Sequence, residues 1–234
     1  AISNIAAAKI KGLQLCGAVN IAVETKNALQ VSGITNVCQG KLSGIQFAPG
    51  NYAGEVSGAQ IGLLNLCGGH VKGVKIGIIN HSKDTTAHKI GLVNINPKTR
   101  IQLMLFGGNT SKMNAAVRFK NRTTYTLLGI GTHYLDLNDK FSGCVFYRAG
   151  LHYPIAGNLE ISGDLGYFHI ENFENEDAET PERMYSLQAR VNLEYKIRPK
   201  FSIFASGGYG MTRYYDKNKF YEKKPIIEIG VVLF

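Results

Sequence analysis

The segment 184–197 alternates without interruption between two kinds of side chain. One kind is apolar or aromatic and comprises Tyr185, Leu187, Ala189, Val191, Leu193, Tyr195 and Ile197. The other kind is polar apart from Met184. Because successive side chains of a β-strand point to opposite faces, the pattern predicts a strand with one apolar and one polar face. Soluble strands usually have about 5–6 residues, so this length, with a Tyr near each end, favours a strand that crosses a membrane.

The C-terminal part divides into eight such segments, several of which alternate as clearly. Their approximate spans are 99–107, 112–120, 122–134, 141–153, 159–171, 184–197, 201–215 and 225–234. Short connections alternate with longer polar ones, which is typical of outer-membrane barrels with tight turns on one side and loops on the other. A soluble barrel would alternate equally but would enclose its apolar residues. The strand lengths, the terminal Tyr residues and the charged polar faces favour lipid outside.

A repeat occupies residues 1–95. Asn recurs every 14–16 residues, at positions 4, 20, 36, 51, 65, 80 and 94, and a Gln or Lys follows nine or ten residues after each of the first six. The clearest units are 58–65 (Gly-Ala-Gln-Ile-Gly-Leu-Leu-Asn) and 73–80 (Gly-Val-Lys-Ile-Gly-Ile-Ile-Asn). A fixed period with like residues in like places predicts a narrow β-solenoid of about six coils. We expect the Asn side chains to form a hydrogen-bonded ladder along the stack, with the members Asn20, Asn36, Asn51, Asn65 and Asn80.

Each repeat unit is alternatively one strand of a larger barrel. Consecutive strands of an up-and-down barrel run in opposite directions, so a motif that repeats in one direction favours the solenoid. Aromatic residues are also scarce in this part, since 21 of the 23 Phe and Tyr residues follow position 95. We therefore predict an all-β chain with short-coil β-solenoid-like repeats over residues 1–95 and an eight-stranded antiparallel transmembrane β-barrel over residues 96–234.

Composition and charge narrow the function classes. The 234 residues carry a formal net charge of +9, which suits anionic partners such as lipid headgroups. Nucleic acid is not expected as a partner, because the chain has no basic helix, zinc-ligand spacing or RNA-binding aromatic signature. A run of about 18 apolar residues, which a transmembrane helix needs, is absent. Four widely spaced Cys indicate small buried thiols. The chain opens at Ala1 without a basic and apolar leader, and we expect an export signal to have been removed.

Two features resemble a known family. The chain closes with Ile-Gly-Val-Val-Leu-Phe234, and a terminal aromatic residue on an alternating strand resembles the signal of Gram-negative outer-membrane barrels. The repeat units, such as the one that ends at Asn65 and has the form GxQxGxxN, resemble the surface repeats of uncharacterised outer-membrane proteins common in gut anaerobes. Together these features cover nearly the whole chain. The resemblance implies an outer-membrane location and a repeat-plus-barrel architecture, and it implies no agreed activity.

The polar faces predict a filled lumen, because an eight-stranded barrel is just wide enough inside for side chains. We expect a buried ion-pair network of Arg100, Arg118, Arg148 and Arg190 with Glu160, Asp164, Glu194 and Glu228. Each partner offsets the desolvation of the other, and a lumen filled in this way favours a closed barrel over a diffusive pore. Outside, we expect an aromatic girdle that includes Tyr147, Tyr153, Tyr185 and Tyr195.

No catalytic residue, metal site or cofactor is predicted. The candidates for an outer-leaflet enzyme are His133 and His169 with Asp136, Asp139 or Glu171, but no spacing repeats a metal or triad signature. A hydrogen-bonding role at the interface or in the lumen suits both His residues. The acidic loop 171–182 is a candidate for calcium that bridges lipopolysaccharide, although a solvated loop is the simpler interpretation.

These patterns predict a structural or interaction protein, a closed barrel that acts as a subunit or anchor of a larger envelope assembly. The alternatives are a small-solute channel with the repeats as plug and an outer-membrane lipid-modifying enzyme. Expected partners are outer-membrane lipid, lipopolysaccharide and envelope proteins. With an even number of strands, both ends of the barrel lie on the short-turn side, which faces the periplasm in outer-membrane barrels. The repeat domain is therefore expected in the periplasm.

Overall fold

The computed structural model describes residues 1–132, 142–173, 183–215 and 220–234. The chain divides into two compact units, Ala1–Thr99 and Arg100–Phe234. The first unit is built from parallel strands and the second is a closed barrel, which confirms the predicted fold class. None of the described residues belongs to a helix long and apolar enough to span a membrane.

The first unit is a solenoid in which each coil pairs in parallel with the next. Its strands are β1 (Ser3–Cys16), β2 (Val19–Ser32), β3 (Thr35–Phe47), β4 (Gly50–Ile61), β5 (Leu64–Cys67), β6 (Val71–Ile76), β7 (Ile79–Ser82), β8 (His88–Ile90) and β9 (Val93–Ile95). The pairing aligns each repeat with its successor, so that Asn36 lies in register with Asn51 and Gln46 with Gln60. Like residues therefore stack on like residues, as the period predicts.

Two hydrogen-bonded ladders run through the interior of the solenoid. Each Asn Nδ2 donates to the Oδ1 of the Asn one coil later, at 2.9–3.1 Å from Asn20 to Asn80, and the ladder extends back to Asn4 and on to Asn94. The Gln ladder runs the opposite way, since each Nε2 donates to the Gln one coil earlier at 2.7–2.9 Å. These side chains are buried, and a buried amide without a partner is costly. The stacking of like residues from coil to coil therefore stabilises the interior.

Glycine is required where neighbouring coils approach most closely. Gly44, Gly58 and Gly73 stack in register with φ angles of 132°, 143° and 145°. A Cβ built on Gly58 would lie 1.9 Å from the carbonyl oxygen of Gly44, far inside contact distance. No other residue type fits both this backbone conformation and this spacing.

The Gln ladder stops at Gln60, where the next two coils place Lys75 and Lys89 in register. The Nζ atoms donate instead to the carbonyl oxygens of His81 and Ile95, at 2.6 and 2.8 Å. The buried Oε1 of Gln60 is left without a hydrogen-bond partner. Burial lowers the pKa of both Lys residues to about 8. The last coils therefore carry two partly desolvated ammonium groups where the earlier coils carry neutral amides.

The cysteines of the chain lie in both units, and all four are free and buried. In the solenoid, burial raises the pKa of the Cys38 thiol to about 11. A thiol with a raised pKa is a poor nucleophile and a poor metal ligand at neutral pH. Cys38 therefore acts as a small apolar side chain, which packs with Leu42, Ala53 and Val56 in the solenoid interior.

The second unit is a closed antiparallel barrel of eight strands. They are β10 (Arg100–Gly108), β11 (Asn114–Lys120), β12 (Thr124–Thr132), β13 (Ser142–Ala156), β14 (Leu159–Asn172), β15 (Arg183–Arg198), β16 (Phe201–Tyr214) and β17 (Phe220–Leu233). Pairing of β10 with β17, from Leu103–Leu233 to Gly108–Glu228, closes the barrel. The predicted start of the last strand at residue 225 is wrong, because pairing with β16 continues to Phe220.

The outer face of the barrel is apolar, whereas the lumen holds the polar and charged side chains together with a cluster of buried apolar ones. In β15, Leu187, Val191 and Leu193 are about half exposed, whereas the alternate positions Gln188 to Glu194 are buried. In β14 and β17 the outer face is likewise apolar and exposed, and the charged residues Asp164 and Glu228 are buried. A soluble barrel would reverse it, so this surface is that of a lipid-embedded protein.

Lys75→Gln is expected to stabilise the last coils of the solenoid. The pKa of Lys75 is lower in the folded chain, about 8, than its ordinary 10.5, so its protonation favours unfolding. This cost is fully present below about pH 8 and disappears as the pH rises towards 10.5. A Gln would instead donate to the free Oε1 of Gln60, and we expect about 1–3 kcal/mol of added stability at pH 7 and no such pH dependence. Hydrogen exchange of the amides of β6 and β8 measures the change.

Lys72→Gln is the matched control, because Lys72 lies on β6 but is exposed. We expect unchanged amide protection in this variant at pH 7 and at pH 10. Protection of the Lys75→Gln variant that equals the wild type at pH 7 would contradict the assignment of a buried, costly ammonium.

Candidate functional site

The centre of the barrel lumen is a buried cluster of two Arg and two carboxylates. Arg148 on β13 makes a bidentate pair with Asp164 on β14, with Nε–Oδ1 and Nη2–Oδ2 distances of 2.8 and 2.7 Å. Glu228 on β17 bridges Arg148 at 3.4 Å and Arg190 on β15 at 2.9 Å. All four residues are at most 5% exposed. Four strands thus contribute one charge each, and their charges balance inside the lumen.

Neutral side chains complete the hydrogen bonding of this cluster. The Tyr125 hydroxyl donates to Asp164 at 2.5 Å, and Asn192 Nδ2 donates to Asp164 at 2.8 Å. Ser206 in turn donates to Asn192 at 2.6 Å. A buried carboxylate with several donors has its remaining lone pairs satisfied, which a buried ion pair needs in order to be stable.

An aromatic layer lies in the lumen next to the ion pairs. Phe106, Phe146, Phe168 and Phe204 are buried there, with Phe146 stacked on Phe168 at 4.7 Å between ring centroids. The guanidinium of Arg190 lies 5.0 Å from the Phe168 ring centre. Gly129 faces Phe146 in the barrel register, and a Cβ there would meet the ring at 2.3 Å. The absence of a side chain at Gly129 therefore makes room for the ring.

A second group of charges lies towards the short-turn end. Arg118 Nη1 contacts Glu194 at 2.8 Å, and Arg118 Nε donates to Gln102 at 2.9 Å. Glu160 pairs with Lys120 instead of one of the predicted Arg partners. Arg100 is exposed at the start of β10 and makes no ion pair among the described residues. The eight predicted charges thus form a central cluster of four, a separate pair, one carboxylate with a different partner and one exposed Arg.

The predicted girdle residues lie on the outer face at different heights. Tyr153 and Tyr195 are exposed near the short-turn end, whereas Tyr147 lies in the middle third of β13. Tyr185 lies near the long-loop end, 6.2 Å from Tyr167 and 5.1 Å from Tyr215 between ring centroids. Tyr167 and Tyr215 also belong to this aromatic cluster, and the sequence analysis did not predict them. Tyr167 could have been predicted, because it falls on the outward-facing positions of its strand.

Of the residues considered for an enzyme site, the structure describes His169 and Glu171. His169 lies on the outer face between Glu171, at 3.3 Å from Nε2, and the Tyr215 hydroxyl, at 3.0 Å from Nδ1. No Ser, Thr or Cys nucleophile contacts His169 among the described residues. His133, Asp136, Asp139 and most of the acidic loop 171–182 lie outside the described residues. Within the described ranges, no group of three or more His, Cys, Asp or Glu is placed to hold a metal ion.

The lumen is thus filled by side chains at two successive levels, the ion-pair cluster and the aromatic layer. Paired guanidinium groups backed by Phe rings therefore occupy the space that the eight strands enclose at these levels.

Glu228→Gln is expected to destabilise the barrel strongly. The change leaves Arg148 with Asp164 alone and Arg190 without a carboxylate, and an unpaired buried charge costs about 3–5 kcal/mol. The loss of stability is measured as the urea concentration at which half of the barrel is unfolded, with gel mobility without heating as the probe of folding.

Glu222→Gln is the control, since Glu222 pairs with Lys224 at 2.6 Å but is about one-third exposed. Its effect is expected to stay below about 1 kcal/mol, as for other surface pairs. Equal midpoints for the two variants would show that the lumen cluster does not stabilise the barrel.

Comparisons with known proteins find similar barrels among solved structures and no family. No family model and no curated protein matches the chain. It is similar to the N-terminal β-barrel domain of Pseudomonas aeruginosa OprF, at 16% identity and a TM-score of 0.41 over 57% of this chain and 95% of that chain. It is also similar to a barrel from the de novo design of transmembrane β-barrels, at 12% identity and a TM-score of 0.41 over 59% of this chain and 97% of that one. Neisserial surface protein A matches at 9% identity and a TM-score of 0.34, over 57% and 93%. Likeness at such identities concerns the fold and says nothing about function.

Proposed function

We propose that the chain is a closed outer-membrane barrel that anchors a solenoid used to dock another envelope component. The observation that carries the proposal is the filled lumen, in which Arg148, Asp164, Arg190 and Glu228 are buried and paired. A barrel without a path for solutes serves as a fixed attachment in the membrane. The same filled lumen argues against the transport alternative, and the proposal assigns the chain no catalytic activity.

The solenoid has a surface suited to docking. Along the corner where each coil turns into the next, apolar side chains are exposed in consecutive coils, and we call them the apolar ridge: Ile2, Leu15, Ile34, Phe47, Leu63, Ile76, Ile78 and Ile90. No charged residue interrupts the ridge. Exposed apolar surface of this extent is typical of protein or membrane interaction sites. The opposite corner carries the charges, among them Lys26, Lys41 and Lys72.

The proposed location follows from barrel topology. Arg100 opens β10 at the end where the turn 121–123 joins β11 to β12, and β17 finishes at the same end. In outer-membrane barrels this short-turn end faces the periplasm, so the proposal places the solenoid there. Outer-membrane lipid and lipopolysaccharide would surround the barrel, and the partner would be a periplasmic or membrane-bound envelope protein.

The purified chain is expected to show no steady channel current in planar bilayers. The Arg148→Ala/Asp164→Ala double variant removes both members of the bidentate pair, so no new charge is left without a partner in that pair. We expect no channel current from this variant either, because the Phe146–Phe168 layer is a separate barrier. Gel mobility without heating confirms that both proteins are folded. A steady open-channel current from the wild type would refute the closed lumen.

Mild-detergent purification is expected to recover a stoichiometric envelope partner. The variant Ile34→Asp/Leu63→Asp places charges on the apolar ridge at turns, where no strand is disturbed, and we expect it to lose that partner. Lys41→Asp/Lys72→Asp changes the charged corner and serves as the control. Retention of the partner by the ridge variant, or its loss from both variants, would contradict docking through the ridge.

A further inference from the structure

A cavity of about 650 Å³ opens at the short-turn end of the barrel. Its volume falls within the range of about 300–1,000 Å³ typical of small-molecule sites. Six charged side chains line it: Arg100, Lys120, Lys196, Lys200, Glu160 and Glu194. Neither the ion-pair cluster nor the aromatic layer accounts for this space.

Both carboxylates of the cavity are already paired. Glu160 contacts Lys120 and lies 3.3 Å from His152 Nδ1, whereas Glu194 contacts Arg118 at 2.8 Å. Arg118 is 4% exposed, and its Nη2 has no hydrogen-bond partner among the described residues. The cavity therefore offers a surplus of cationic groups, and its carboxylates are already neutralised by their own partners.

The surplus cations belong to the lumen side of the barrel wall. Arg100 precedes the buried Gln102 by two residues, and Lys196 follows the buried Glu194 by two. Because side chains two apart on a strand share a face, these two cations are in phase with the lumen and not with the lipid-facing surface. Lys200 lies in the turn between β15 and β16 and lines the same cavity. Lys and Arg that serve lipid phosphates extend from the outer face of a membrane protein, and these do not.

One wall of the cavity is apolar. Leu159, Phe201 and Phe234 line it beside Pro154 and Pro199. We propose that the cavity binds a small amphiphilic anion, with its phosphate or carboxylate against the three free cations and its apolar part against Phe201 and Phe234.

The site is blind. Its inner end meets the Arg118–Glu194 pair, and the Arg148 cluster and the Phe layer fill the lumen beyond it. A ligand therefore enters and leaves through the same opening, which makes the cavity a binding site and not part of a passage.

Calorimetric titration of the full chain in a non-ionic detergent tests the proposal with three probes: phenyl phosphate, inorganic phosphate and phenol. We expect saturable binding of phenyl phosphate that weakens with added salt, and much weaker binding of the other two. The Arg100→Gln/Lys196→Gln/Lys200→Gln variant is expected to lose at least about tenfold in affinity, equivalent to about 1.4 kcal/mol. These side chains are exposed, so the barrel is expected to fold, and its gel mobility checks this.

The variant Arg183→Gln/Lys223→Gln/Lys224→Gln removes the same charge at the opposite end of the barrel and serves as the control. Its affinity for phenyl phosphate is expected to equal that of the wild type. Equal losses in both variants, equal binding of phenol, or inorganic phosphate that binds as well as phenyl phosphate would each overturn the proposal.

The native ligand has two possible sources, which native mass spectrometry separates. A phospholipid retained by the wild type and lost from the Arg100/Lys196/Lys200 variant supports the site and identifies a lipid as its ligand. Wild-type protein that carries no lipid, together with saturable phenyl phosphate binding, supports the site and identifies a soluble anion.

Discussion

Polar side chains occupy the interior of both units, so each buried polar group needs a partner at a fixed distance. In the solenoid the partner is the same residue one coil away, as in the Asn36–Asn51 bond of 3.1 Å. In the barrel it is an opposite charge on another strand, as in the Arg190–Glu228 pair. Apolar side chains fill the rest of each interior, and many others lie exposed on the outer surface of both units. The interior therefore sets the register, and the exterior is free to meet lipid or another protein.

Periodicity made most of the fold predictable from the sequence. A spacing of 14–16 residues between Asn residues predicts a solenoid, and the alternation of 184–197 predicts a strand with one apolar and one polar face. Strand phase also assigned Arg148, Arg190 and Glu228 to the lumen, because they alternate with exposed apolar neighbours. The same phase would have revealed the Phe layer: Phe146 lies two residues before Arg148, and Phe168 four residues after Asp164. A rule that assigns every aromatic residue to the lipid-facing side does not find these rings.

The pairing across the lumen was beyond sequence reasoning. Whether Glu160 meets an Arg or Lys120 depends on the shear of the barrel, which strand periodicity does not encode. The exposure of Arg100 depends on how far β10 extends beyond its pairing with β17, which begins only at Leu103. Similarly, Lys75 occupies the repeat position that Gln holds in the earlier coils, and from the sequence alone the two long polar side chains look interchangeable. Its physical meaning appears only once the coil places that ammonium in the interior beside an unpaired Gln60 oxygen.

The replacement of Gln by Lys in the last coils has a consequence for assembly. Amide ladders of the Gln14–Gln60 kind are self-templating, since any further coil with a Gln in register would extend them, including a coil from another molecule. At Lys89 an incoming Gln meets an ammonium, and an incoming Lys meets a like charge. The solenoid thus carries an electrostatic terminator at one end, which limits fibre-like growth in a protein whose interior would otherwise favour it.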